Sequence, residues 1–141
     1  DVAVSGGYGT FLDSPAGSNE PEAYSAGITL GYAGFGIGAS WARFDDSGAT
    51  DGDGYNLGVS YQTGPFGVSL SYFNGERAGS GAATAGGSQA EQDTFALSGK
   101  YALGPGVTAA ATLGHSEYTS STAGVADVEA TYFVTGIKLS F

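Results

Sequence analysis

The sequence predicts an all-β fold: an antiparallel transmembrane β-barrel unit of eight up-and-down strands, with residues 1–141 as a single unit. Three observations predict it. Apolar and small polar residues alternate along eight segments of about 9–14 residues, close to the ~9–11 a tilted membrane strand needs and longer than the ~5–6 of an ordinary globular strand. The connections between segments are alternately short and long. The chain closes on "ATYFVTGIKLSF", an alternating segment that stops on the bare ring of Phe141, where a soluble domain usually ends in polar, poorly ordered residues.

Val2–Phe11 opens the series; its glycines 6, 7 and 9 suit bending and close strand packing, and no helix follows them to make a phosphate cradle. In Glu22–Tyr32, Tyr24, Ala26, Ile28, Leu30 and Tyr32 share one parity and Ser25, Gly27, Thr29 and Gly31 the other. Phe35–Phe44 repeats this with Phe35, Ile37, Ala39 and Trp41 against Gly36, Gly38 and Ser40, and Gly54–Gln62 with Tyr55, Leu57, Val59 and Tyr61 against Asn56, Gly58 and Ser60. Phe66–Phe73 carries Phe66, Val68, Leu70 and Tyr72; Asp93–Ala102 carries Phe95, Leu97 and Tyr101; Val107–Tyr118 carries Val107, Ala109, Ala111 and Leu113. In Val128–Phe141 the apolar parity is Phe133, Ile137, Leu139 and Phe141, and the mixed parity Tyr132, Gly136, Lys138 and Ser140. Aromatic rings mark the ends of the apolar face and aliphatic side chains fill its middle.

The short connections are "AG" at 33–34, "TGP" at 63–65 and "LGPG" at 103–106; the long ones are "LDSPAGSNEP", "DDSGATDGD", "NGERAGSGAATAGGSQAEQ" and "TSSTAGVAD". All four prolines fall in connections, as ladder hydrogen bonding requires. A hairpin plan recurs: a Tyr (32, 61, 101) closes one segment, a Gly follows, and Phe35, Phe66 or Val107 opens the next. These tyrosines, with Phe141 on the same side and Trp41 toward the other, are expected to form aromatic girdles at membrane–water interfaces.

The competing fold is a soluble antiparallel sandwich, which alternates in the same way. Its core would have to be the apolar face, leaving a face of Gly, Ser and Thr outside. Strand length, the aromatic–aliphatic–aromatic banding and the terminal Phe favour lipid instead. In hydrocarbon each unpaired backbone group costs several kcal/mol, so a spanning sheet must have no edge. Eight strands close alone or form part of a wider ring, and a face too small to fill a narrow lumen favours the wider one.

Composition narrows the function. The chain has 14 acidic and 4 basic residues, a net charge of −10, and no basic stripe for nucleic acid. It has no Cys, which excludes thiol chemistry, disulfides and Cys-based metal sites. No apolar run reaches the ~20 residues of a membrane helix, and the first residues are not a secretory signal.

The hairpins "YQTGPFGVSLSYFNG" and "FALSGKYALGPGVTAAATLGHSEY" and the closing "ATYFVTGIKLSF" resemble the C-terminal half of a Gram-negative general-diffusion porin of the alphaproteobacterial type, from about Glu22 onward. The resemblance implies an outer-membrane location, a passive water-filled channel for small hydrophilic solutes, a sixteen-stranded barrel and a trimer. Its partners would be outer-membrane lipid, lipopolysaccharide and the insertion machinery, which reads the terminal strand, with Phe141 as the signal. It implies no catalysis and no cofactor. The chain departs from that pattern in length, lacking the N-terminal half with its constricting loop. The alternative function is a complete eight-stranded barrel with a structural or adhesive role.

Four smaller features have a functional and a plainer reading. "DDSGATDGDGYN" invites calcium but lacks the ligand at Tyr55 and the Glu at the twelfth position that an EF-hand requires, so a solvated acidic loop is expected. His115, with Glu117 on its face, lacks a recognisable nucleophile partner and reads as an interface histidine rather than a base. Lys100 and Lys138 share the inward parity near the short-turn end; they form either a positive lumen patch favouring anions or ordinary ion pairs. Arg43 follows Trp41 outward and is placed to snorkel to lipid phosphates.

Overall fold

A computed structural model describes residues 1–10, 21–45, 51–78, 89–121 and 125–140. Eight strands follow one another: β1 (Val2–Thr10), β2 (Glu22–Tyr32), β3 (Phe35–Asp45), β4 (Gly52–Thr63), β5 (Phe66–Ala78), β6 (Gln89–Gly104), β7 (Val107–Ser120) and β8 (Val128–Leu139). They form one sheet in the order β1-β2-β3-β4-β5-β6-β7-β8, every neighbouring pair antiparallel. No second layer packs on it, and no helix is present among the described residues.

The short turns show why the chain reverses where it does. Between β2 and β3, Ala33 and Gly34 both take positive φ, 50° and 85°, as a two-residue type I′ hairpin requires. Gly64 precedes Pro65 with φ 53°, the II′ signature with glycine at the first central position. Pro105–Gly106 reverses the third hairpin with φ 73° at the glycine, after a register shift between Ala102 and Gly104. Each turn is also tied to the next hairpin. The Gly34, Pro65 and Gly106 carbonyls accept from the amides of Gln62, Ala102 and Ser140 at 2.8, 2.9 and 2.8 Å.

At their other ends several strands run past the limits the alternation predicts. β5 continues through Asn74 to Ala78, and β6 begins at Gln89 rather than Asp93. Of the segment 74–92, expected to be one long loop, residues 74–78 therefore pair as strand with residues 89–93, and 79–88 lie outside the described residues. β3, β4 and β7 are extended likewise, to Asp45, from Gly52 and to Ser120. The physical reason is that ladder bonding needs only an extended backbone: polar residues beyond an apolar band keep pairing once the strands leave it. β8 ends at Leu139, and Phe141 lies outside the described residues.

The register sorts side chains into two faces. Ile37 stands opposite Val59, Val59 opposite Leu70 and Leu70 opposite Leu97, while Gly38, Gly58 and Ser71 align on the reverse. Among the described residues no hydrophobic side chain is buried: Leu30 is 42% exposed, Val59 49% and Leu70 49%. A sandwich would shield these three, so the soluble reading fails. Among the described residues β1 and β8 do not meet, and every contact between elements is between sequence neighbours. The eight described strands thus form an open wall whose two edges find no partner among those residues.

Candidate functional site: a two-faced wall

The apolar face is bounded by rings at both ends. Near the short turns Phe35 and Tyr61 lie 4.4 Å apart, and Phe66 and Tyr101 4.6 Å apart; Tyr32, opposite Phe35, completes the row. Toward the long loops Tyr8–Tyr24, Tyr55–Tyr72 and Tyr72–Phe95 are spaced 5.3, 5.9 and 4.6 Å, with Trp41 opposite Tyr55.

Beyond that second row, on the same face, stand eight carboxylates: Glu22, Asp45, Asp53, Glu76, Glu91, Asp93, Glu117 and Glu129. The register lines up Asp53, Glu76 and Glu91 across β4, β5 and β6, and Asp93, Glu117 and Glu129 across β6, β7 and β8. Like charges directly opposite are destabilising, and polar neighbours offset this. The Asn74 amide donates to Glu91 at 2.9 Å and to Asp93 at 3.1 Å, and the Tyr72 hydroxyl donates to Asp93. Tyr8 donates to Glu22 at 2.9 Å. Arg43 lies 3.7 Å from Asp45, so its head is paired within its own strand. The remainder of the "DDSGATDGD" stretch, residues 46–50, lies outside the described residues.

His115 is on this outward face. Its Nδ1 lies 2.9 Å from the Thr131 hydroxyl and its Nε2 3.3 Å from Glu117. The hydroxyl at the ring is a threonine on the neighbouring strand, and no Ser–His pair forms there. The ligand atoms of His115, Glu117 and Glu129 lie within 4.8 Å of one another, so among the described residues this group has the reach to hold a cation.

The reverse face is small and polar, and its large side chains lie flat. The Tyr132 ring covers Gly114, and Phe73 covers Gly75; a Cβ at either glycine would collide with the ring. The Lys100 stem crosses Gly67 in the same way, its strand partner on β5. Glycine seats of this kind keep bulky groups against the wall. At the long-loop end this face borders a concavity of about 1320 Å³ whose lining includes Ser5, Ser40, Asn56, Phe73, Arg77 and Tyr118.

Lys100 and Lys138 both stand on this face, on β6 and β8, opposite Ala110 and Thr108 of the strand between them. Arg77 joins them at the other end, opposite Gly52. Sequence reasoning missed Arg77 because β5 was expected to end at Phe73, which left it in a loop with no parity. Counting on from Tyr72 would have found it: Arg77, five residues later, takes the opposite face.

A strand-only antiparallel sheet with an exposed aliphatic band between aromatic rows, backed by a small polar face, is the wall of a transmembrane β-barrel. The sequence pattern of the Gram-negative porins matches residues 1–121. The chain belongs to that family, and its place is the bacterial outer membrane. The match takes in β1 and all strands through β7, and stops short of the closing strand that also carried the resemblance. No curated protein gives a significant match to the chain.

Proposed function

We propose that this chain forms part of the wall of a passive, water-filled channel for small hydrophilic solutes, working as a porin and not as an enzyme. The observation that supports this most is the open, two-faced sheet. Its aliphatic band is exposed on one side, and its other side is too small to fill a lumen. Side chains fill an eight-stranded barrel, whereas sixteen-stranded porins leave an aqueous channel. The two unpaired edges point the same way, because hydrocarbon leaves no solvent for their amides and carbonyls.

In this reading further strands outside these eight complete a sixteen-stranded ring, and the rings assemble as trimers. Tyr32, Tyr61 and Tyr101 anchor one interface, Trp41 the other, and Phe141 serves the insertion machinery. Lipid and lipopolysaccharide contact the apolar side. No covalent step or cofactor enters transport: selection comes from width and from charges along the path. Added in detergent to a planar bilayer, the folded protein is expected to give stable, step-like conductance. Electrical silence from protein whose strand content is intact by circular dichroism would overturn the proposal, and native mass spectrometry of the conducting species gives its subunit count.

A further inference from the structure

A chain with net charge −10 suggests a pore that favours cations. The register reverses that expectation. All eight strand carboxylates take the outward face, together with Arg43. The inward face carries Arg77, Lys100 and Lys138 and, within the described strands, no carboxylate; just before β1, Asp1, bonded to Gly31, adds one to that side, so the three cations outnumber it. These three side chains are exposed, and among the described residues none of them has an ion-pair partner. Two sit near the short turns and one near the long loops, so the positive charge spans the path.

From this sorting we infer that the lumen wall selects for small hydrophilic anions such as monocarboxylates and phosphate, with Arg77, Lys100 and Lys138 as the specificity-determining residues. The inference rests on the channel reading above and names its solute class. Mobile ions meet the charges facing the water they cross. The outward carboxylates extend from the far side of the wall into an outer solvent that screens them; Asp53, Glu76 and Glu91 also border the long-loop-end concavity beside Arg77, so Lys100 and Lys138 at the short-turn end are the cations farthest from them. Screening lengths are about 10 Å at 0.1 M salt and about 3 Å at 1 M. Selectivity therefore is strong in dilute salt and fades in concentrated salt.

The test is the reversal potential of the full protein in a planar bilayer under a potassium chloride gradient. At about 0.1 M mean salt, chloride is expected to permeate roughly two- to fivefold better than potassium, the range that about 1 kcal/mol per charge in water allows. The triple variant Arg77→Gln, Lys100→Gln, Lys138→Gln should lose that preference while keeping its conducting steps. Glu22→Gln, on the outward face, should leave it unchanged. Open channels that prefer potassium, or a preference the triple variant does not alter, would overturn the inference while the channel reading stands. Absence of any conductance would remove both. Should the triple variant fail to fold, the single variant Lys100→Gln must shift the potential in the same direction.

Discussion

At the scale of single residues, position along a strand matters less than parity. Ser69 and Leu70 are consecutive on β5, yet Ser69 pairs with Ser60 and Ser98 on the small polar face, and Leu70 with Val59 and Leu97 in the aliphatic band. Leu70→Arg is expected to cost about 2–4 kcal/mol, as cations do at the middle of a lipid-facing band. Ser69→Arg should leave the fold nearly unchanged, because its guanidinium reaches water. Urea titration of the membrane-inserted protein, read by the emission of the one tryptophan, Trp41 at the rim of that band, measures both. Equal losses at the two positions would mean that both faces see the same solvent.

At the scale of elements, the turns carry the backbone demands and the glycine seats carry the packing ones. Gly106 has φ 73°, and a Cβ there would also collide with the Ser140 carbonyl. Gly106→Ala is therefore expected to destabilise the β6–β7 hairpin by about 1–3 kcal/mol and to slow refolding into detergent. Gly136, with ordinary strand φ and open space where a side chain would go, should accept alanine without loss. The same urea titration separates them, and a tolerated Gly106→Ala would contradict the turn geometry.

At the scale of the whole molecule, the decisive feature is the pair of edges on β1 and β8. In the membrane they must be bonded, since an unpaired amide in hydrocarbon costs several kcal/mol. Hydrogen exchange on the membrane-embedded protein is expected to show β1 and β8 protected as well as β4 and β5. Fast exchange confined to the two edges would mean that the sheet remains open, and no spanning wall could then be stable.

Fold class and the existence and order of all eight strands were legible from alternation, because the pleat makes side-chain direction a strictly local, two-residue property. The short turns were legible for the same reason, since their glycines answer local φ demands. The polar arms of β5 and β6 were not: no apolar pattern marks a strand that has left the membrane, so Arg77, Glu76 and Glu91 had no face until the pairing supplied one. By itself the sequence determined a lipid-wetted β wall with one small polar side. Only the tertiary structure decided that Arg77 joins Lys100 and Lys138 on the inner side while Glu76 and Glu91 stand outside, and that the eight described strands leave it unclosed. Both depend on register and curvature accumulated over seven strand pairs, and no short stretch of residues encodes that sum.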